Sequence, residues 1–179
     1  MKIIFTTDSI FHSLSHFTEI SEEVNSMLSV VYDEKEIQEQ LRLPGSKFSS
    51  SFVKSPQELV TVLQNRFPYM FSSMRTDIDG RIRLSFKLGF PIGTTSIVNF
   101  EELTDQEKKT IKTEQRNDCI VKTVKVNRII QTDECQLILI QQDENYYFCT
   151  AFPGELAPPL PKQGDAIDSY WETHLFTRL

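Results

Sequence analysis

The sequence predicts an α+β fold, in which N-terminal helices precede a four- or five-stranded, mainly antiparallel sheet with a short inserted helix and a Pro-rich C-terminal tail. Apolar residues recur every three or four positions in the first part, as on one helix face, but from about Arg81 they alternate with polar residues, as on a half-buried strand. Helices followed by strands are typical of α+β domains. We therefore expect one domain, with a mainly helical part at 1–75, a sheet part at 76–153 and a Pro-rich segment with a short helix at 154–179.

N-terminal capping signals place the helices of the first part. Thr18 can cap the segment TEISEEVNSMLSVV, and Asp33 with Glu36 forms a capping box that opens EKEIQEQLRL. The strongest signal is Ser55-Pro56-Gln57-Glu58, where a serine N-cap, a proline at the first helical position and a glutamate at the third coincide.

Alternation and short gaps place the strands. Residues 81–88 alternate after an Asp79-Gly80 turn, which predicts a strand with a basic outer face. The runs CIVKTVKVNRII, CQLILIQQ and YYFCTAF follow one another at gaps short enough for hairpins, so we expect antiparallel neighbours. Because LILI is apolar without alternation, we expect it at the centre of the sheet, covered on both faces.

Two short helices are predicted among and after the strands. Thr104 with Glu107 forms a capping box that opens an inserted helix, expected to run to about Thr113. Asp168 is expected to cap a helical piece, DSYWETHLF, in which Trp171 packs against the core.

Composition excludes several classes of protein. The 179 residues are 39% hydrophobic, which suffices for a packed interior, and the formal net charge is -6, so no global positive field attracts nucleic acid or an anionic membrane. The three cysteines have no C-x-x-C spacing and are expected to be small buried residues. Because no apolar run reaches membrane-spanning length, we expect a soluble protein, with the cytoplasm as the default compartment. We expect no cofactor. Export by a signal-independent route stays open, and so does the oligomeric state.

The familiar metal-binding and phosphate-binding motifs do not occur in the sequence. The spacing of His12 and His16 suits one helix face, but no third ligand accompanies them, so no metal site is predicted. The glycines of GFPIGTT match no phosphate-binding loop, and no nucleophile elbow is present.

A set of basic and hydroxyl residues forms the candidate site. His174 can serve as an acid or a base near neutral pH. Arg116 is expected at the end of the inserted helix. There it either binds a phosphate over the sheet edge or interacts favourably with the negative end of the helix dipole. The basic strand face at 81–87 is expected to join the one at 122–128 if these strands are neighbours, or else it only keeps the sheet soluble. The candidate residues are, for catalysis, His174, Arg116 and Thr150 and, for substrate binding, Lys87, Lys122 and Arg83.

The segment Thr150-Ala151-Phe152-Pro153 carries a family resemblance. It is similar to the end of the last strand in small bacterial ribonuclease toxins of the RelE, EndoU and colicin D type. The resemblance implies RNA cleavage without a metal ion, with Thr150 as the hydroxyl group, whereas His174 and Arg116 match that class in residue type only. The acidic net charge departs from the class, and so does His174, which is expected after the last strand and outside the sheet.

Two functions follow from these residues, and the sequence leaves both open. The first is a metal-independent, toxin-like ribonuclease in which His174 moves the proton and Arg116 with a lysine offsets the charge on the phosphorane. The alternative is a non-catalytic interaction module, immunity-like, antitoxin-like or of an uncharacterised kind, that binds another protein through FPGELAPPLP and an acidic surface. The partner is RNA in the first case and a protein in the second, and neither involves a membrane.

Overall fold

The computed structural model describes residues 2–116, 118–162, 164 and 167–178, and it has the predicted α+β fold. In chain order the helices are α1 (Thr7–Ser13), α2 (Glu22–Leu28), α3 (Glu34–Arg42), α4 (Pro56–Arg66), α5 (Pro68–Ser72), α6 (Asp105–Lys108) and α7 (Ser169–Thr173). The strands are β1 (Ile3–Ile4), β2 (Lys47–Phe48), β3 (Arg81–Lys87), β4 (Gly93–Thr94), β5 (Ile97–Asn99), β6 (Lys112–Arg116), β7 (Cys119–Lys125), β8 (Gln131–Thr132), β9 (Glu134–Gln142), β10 (Asn145–Pro153) and β11 (His174–Arg178). Short 3-10 helices span Leu14–His16 and Phe100–Glu102.

The chain divides into two compact units. The first unit comprises Met1–Thr94 and Thr132–Glu155, and the second comprises Thr95–Gln131 and Leu156–Leu179. The first unit contains the sheet β1-β10-β9-β3, strands β2 and β4 of a small sheet of order β2-β4-β8, and two clusters of buried apolar side chains. The second unit contains the sheet β5-β11-β7-β6 and one such cluster. The expectation of a single domain stays a prediction.

The helix N-termini of the first unit largely follow the sequence signals. The Asp33–Glu36 capping box is present, and the Ser55 hydroxyl accepts a hydrogen bond from the Glu58 N–H at 3.0 Å. The predicted cap at Thr18 is wrong: α2 begins three residues later, because Ser21 accepts from the Val24 N–H. The Thr18 hydroxyl instead donates to the Phe48 carbonyl, so Thr18 is bound to strand β2.

The sheet of the first unit has the strand order β1-β10-β9-β3. β9 pairs antiparallel with both β10 and β3, so the predicted hairpin between the last two runs is confirmed. Leu137, Ile138 and Leu139 are buried on this inner strand, as their lack of alternation predicts. One face of the sheet packs with helix α4 in a common cluster, in which each fully buried side chain contributes about 1.5–3 kcal/mol of transfer free energy.

The first of the three runs that were expected to pair as hairpins, CIVKTVKVNRII, forms β7 in a different sheet. β7 does not pair with β9, because the chain between them forms β8 rather than a tight turn, and β7 belongs to a second sheet of order β5-β11-β7-β6. The basic faces of β3 and β7 would join only if these strands were neighbours. They belong to different sheets, so the two faces are not continuous. The second sheet belongs to the second unit and packs one face on a cluster of buried apolar residues, namely Val98, Leu103, Val124, Val126 and Leu175.

Two segments of the second unit differ from prediction. The capping box of Thr104 and Glu107 is confirmed, but α6 ends at Lys108, where the Thr110 hydroxyl donates to the Glu107 carbonyl at 2.7 Å. The following residues, 112–116, form β6 rather than more helix, because they pair antiparallel with β7.

The C-terminal piece is half helix and half strand. Asp168 caps α7 and Trp171 is buried, as expected. His174 does not continue the helix: it begins β11, which lies inside the second sheet, antiparallel to β5 and parallel to β7. The expectation that His174 lies outside the sheet is therefore wrong. Among the residues the structure describes, no helix has the length and apolar character needed to cross a bilayer.

Candidate active site on the second sheet

Strand register assigns Arg116, His174 and several other polar side chains of the second sheet to one face. Arg116 lies opposite Cys119, and Phe176 lies opposite Thr123, so these side chains share the face that is turned away from the apolar cluster. We call it the Arg116 face. By alternation it carries Ile97, Asn99, Lys112, Glu114, Arg116, Cys119, Val121, Thr123, Lys125, His174, Phe176 and Arg178.

His174 is held on this face in a defined orientation. Its Nδ1 lies 2.9 Å from the Tyr170 carbonyl oxygen, and its ring stacks on the Tyr170 ring with centroids 3.9 Å apart and planes 2° apart. A carbonyl only accepts, so this hydrogen bond forms when the proton is on Nδ1. The Thr173 hydroxyl, 3.0 Å from the same nitrogen, can then accept from Nδ1 while it donates to the Tyr170 carbonyl at 3.2 Å. Nε2 is then the basic nitrogen, and the Asn99 side-chain amide faces it at 3.4 Å. The ring is thus oriented as a proton acceptor.

Arg116 lies beside the same stretch of β11. Its guanidinium carbon is 5.5 Å from the centre of the Phe176 ring, two residues after His174, and its Nη2 lies 3.5 Å from a Glu114 carboxylate oxygen. About half of its side chain is exposed, at 48%. A planar guanidinium in this position can donate two parallel hydrogen bonds to a phosphate.

Glu114 organises the cations around it. It accepts a hydrogen bond from the Thr123 hydroxyl at 2.9 Å and lies 3.8 Å from Nε of Arg178. The Thr123 hydrogen bond first, and then Arg116 and Arg178, lower the pKa of the Glu114 carboxyl, so it is ionised at neutral pH. Glu114 is the acidic residue among those named on the face, which Lys112, Lys125 and Arg178 also share with Arg116.

The structure brings some of the candidate residues together. His174 and Arg116 share the Arg116 face, although Arg116 ends a strand and not the predicted helix. Lys122 belongs to the same sheet but, by alternation, to its other face. Thr150 belongs to the first unit, so the predicted catalytic set is divided between the units.

The other two candidates, Arg83 and Lys87, also lie in the first unit and are engaged by carboxylates. Arg83 pairs with Asp77 and Asp79 at 2.5 Å, and these carboxylates, Asp79 first, raise the pKa of its guanidinium. Lys87 lies 3.4 Å from a Glu134 carboxylate oxygen. Both cations therefore have an anionic partner within the unit.

Thr150 occupies the same sheet face as Arg83. Both lie opposite Ile138, on β10 and β3 respectively, and Thr150 follows a register shift at Cys149. This shared register is a property of the first sheet.

Sequence reasoning missed three residues of the Arg116 face: Asn99, Lys112 and Arg178. The alternation of His174, Phe176 and Arg178 in HLFTR is a strand signal that could have placed Arg178. Lys112 gave no such signal, because KTEQR contains no apolar residue. Asn99 could be identified only from its pairing with His174 across β5 and β11.

Metal ligands do not cluster in the part of the chain that the structure describes. Among the described residues, no group of three or more His, Cys, Asp or Glu side chains is placed to hold a metal ion. Cys119, Cys135 and Cys149 are free thiols. Burial raises the pKa of the Cys135 thiol, which keeps it protonated and unreactive.

His16 of the first unit is expected to make folding depend on pH. Its ring packs against Phe152, and Nδ1 lies 3.2 Å from the Ser46 carbonyl oxygen. Burial first, and then the charge of Lys47, lower the pKa of His16 from 6.5. The unfolded chain therefore binds the proton more readily, so the stability contributed by neutral His16 is present above about pH 6.5 and is lost as pH falls toward the lower folded pKa.

The free energy of unfolding is measured by denaturant titration at several pH values between about 5.5 and 7.5. His16→Gln should flatten the loss of stability on acidification, whereas His12→Gln, at an exposed position of α1, should leave the slope as in the wild type. Equal slopes in the wild type and His16→Gln would show that His16 does not cause the dependence.

Geometry, rather than likeness to known proteins, is the basis for interpreting the Arg116 face. The resemblance to ribonuclease toxins rests on Thr150-Ala151-Phe152-Pro153, which ends β10 of the first unit, and it stays a prediction. No protein-family model, no curated protein and no solved structure matches the chain.

Proposed function

We propose that the second unit binds RNA on the Arg116 face and cleaves it without a metal ion. The observation that carries the proposal is the placement of His174 and Arg116 on one sheet face, with the His174 proton directed to Nδ1 by the Tyr170 carbonyl. This pairs a proton acceptor with a guanidinium suited to phosphate, which are the groups that phosphodiester transfer needs.

The reaction is an internal transesterification. Nε2 of His174 takes the proton from a ribose 2′-hydroxyl as its oxygen forms a bond to the adjacent phosphorus. The bond from phosphorus to the 5′-oxygen breaks, and that oxygen takes a proton from water. The products are a 2′,3′-cyclic phosphate and a 5′-hydroxyl, and the His174 proton returns to solvent. Arg116 stabilises the negative charge that builds on the phosphorane.

The RNA itself supplies the alcohol in this reaction. A hydroxyl group from Thr150 is therefore not needed, and the proposal uses only side chains of the second unit, so it does not draw on Arg83 and Lys87. Lys122, on the other face of the sheet, is replaced in the proposal by Lys112, Lys125 and Arg178, which share the face with Arg116.

Charge distribution supports RNA binding by this unit in spite of the acidic chain. Basic and acidic residues are equal in number in the second unit, so the whole net charge of -6 falls on the first. The cations of the Arg116 face can then bind phosphates in a sequence-independent, salt-sensitive way.

The test is cleavage of a radiolabelled RNA by the full chain in EDTA, with product ends identified. We expect 2′,3′-cyclic phosphate ends and a rate that Arg116→Ala lowers about 100-fold, the effect typical of removing one donor to a developing oxyanion. Arg81→Ala is the matched control, since its side chain is 50% exposed against 48% for Arg116 and lies in the first unit. Intact RNA after incubation with the wild type, or equal losses in both variants, would contradict the proposal.

A second candidate function is binding of a basic protein segment by the first unit. The observation that favours it is the net charge of this unit together with a groove of about 440 Å³ lined by Thr18, Glu19, Ile20, Glu22, Asn25, Ser26, Glu34, Gln38 and Leu41. The Pro-rich segment is a poorer candidate, because its carbonyls already accept hydrogen bonds from Trp171 and Ile120. Salt-sensitive binding of a lysine-rich peptide by a chain that leaves RNA intact would favour this candidate.

A further inference from the structure

The orientation of His174 depends on a helix of only five residues, α7. Tyr170, in this helix, supplies both the carbonyl that accepts from Nδ1 and the ring that stacks on the imidazole. A helix this short is marginal without tertiary contacts. Whatever fixes α7 therefore also fixes the tautomer and the direction of the His174 ring.

Trp171 attaches α7 to the Pro-rich segment and to strand β11. Its indole N–H is shared between the carbonyl oxygens of Pro158 and Pro159, at 3.2 and 3.1 Å. Its ring stacks on Phe176 with centroids 5.2 Å apart, and the residue is 7% exposed. Because Phe176 also contacts the Arg116 guanidinium, Trp171 packs beside both proposed catalytic groups.

The Pro-rich segment is itself attached to the sheet. The Ile120 N–H donates to the Pro161 carbonyl at 3.2 Å, and Cys119 forms an isolated bridge with Lys162. Prolines restrict the backbone torsions of this segment, so the two acceptor carbonyls are presented to Trp171 in a nearly fixed position. The contacts form a continuous path from β7 through residues 158–162 and Trp171 to α7.

We infer that Trp171 is a positioning residue for His174: its indole N–H, held by the carbonyls of Pro158 and Pro159, fixes α7 and thereby keeps the His174 proton on Nδ1. The inference rests on the proposed function only for its effect on cleavage. Its effect on the imidazole is a property of the folded chain and can be measured without any substrate.

The experiment compares the full-length wild type with Trp171→Phe, which keeps an aromatic ring but removes the N–H. Side-chain ¹⁵N spectra of histidine-labelled protein, which has three histidines, are recorded for both proteins at the same alkaline pH. In the wild type we expect one protonated and one unprotonated nitrogen for His174, with well-separated resonances. In Trp171→Phe these two resonances should move toward each other, because both tautomers become populated.

Thr110→Val is the matched control. It removes a hydroxyl that bonds the Glu107 carbonyl and the Lys125 N–H in the same unit, without touching α7. It should lower the unfolding midpoint but leave the His174 resonances unchanged. Should Trp171→Phe fail to fold, Pro159→Gly is the second variant. Pro159 is exposed, and glycine there makes the backbone that carries the acceptor carbonyl more flexible, so we expect the same spectral change.

Cleavage provides the second measurement. Trp171→Phe should lower kcat about tenfold, as loss of one aligning hydrogen bond would, with KM changed by less than about twofold. Wild-type His174 resonances in a folded Trp171→Phe or Pro159→Gly variant would overturn the inference. Converging resonances in a chain whose wild type leaves RNA intact would uphold the role of Trp171 and reject the ribonuclease proposal.

Discussion

Replacing His174 with glutamine is expected to lower the rate of RNA cleavage in EDTA by about 10²–10⁴-fold, the range that a positioned general base contributes. The glutamine amide takes the place of Nε2, which lies 3.4 Å from the Asn99 side-chain amide. It cannot take a proton from a 2′-hydroxyl. The substitution therefore removes the base while it keeps a polar, uncharged side chain near Asn99.

Single-turnover rates with saturating RNA give the measurement, and thermal unfolding shows that the variant folds. His12→Gln is the control, since His12 is exposed on α1 of the first unit. If His174→Gln retained a rate within a fewfold of wild type, another group would have to be the base, and the role assigned to the imidazole would be rejected.

Replacing Phe86 with alanine is expected to lower the free energy of unfolding by about 3–5 kcal/mol, as for other buried Phe truncations. Phe86 is 2% exposed on β3 and packs between the rings of Phe67 and Phe71, with centroids 5.2 and 5.7 Å away. Truncation would leave a cavity that helices α4 and α5 can fill only by shifting on the sheet.

Denaturant unfolding followed by circular dichroism gives the measurement. The control is Lys87→Ala on the same strand, which loses only an exposed ion pair with Glu134 and should cost at most about 1 kcal/mol. The single tryptophan, Trp171, belongs to the second unit, so its fluorescence separates the two units. A midpoint unchanged by Phe86→Ala in circular dichroism would show that this cluster does not limit stability.

Local signals account for the parts of the fold that the sequence predicts. Ser55-Pro56-Gln57-Glu58 caps its helix through backbone groups three residues apart, and the β9–β10 hairpin needs only a two-residue turn. Both structures depend on neighbours in sequence, so a short window contains the information.

Long-range pairing accounts for what the sequence does not predict. Lys112–Arg116 has no apolar periodicity, and it is a strand only because β7 pairs with it. β11 pairs in parallel with β7 across about fifty intervening residues, a contact that no short pattern indicates. The division into two units has the same origin, since each unit is built from separate stretches of chain.

The sequence indicates the types of residue in the candidate site better than their positions in the fold. His174 and Arg116 were identified because an imidazole and a guanidinium suit phosphate chemistry, and the structure assigns both to one face. Thr150 is a candidate for catalysis because its hydroxyl lies near a strand end, but the sequence does not show which sheet that strand joins. Asn99 and Arg178 depend on register, which only the paired strands define.

Strand β11 fills an inner position of the second sheet, although it is translated after every strand that it touches. Until the ribosome has made His174–Arg178, β5 and β7 each present an unsatisfied backbone edge, which is prone to pair with other chains. We therefore expect the nascent second unit to need protection from aggregation until His174–Arg178 has left the ribosome, and its sheet to close only then. A chain that stops before His174 would present both open edges.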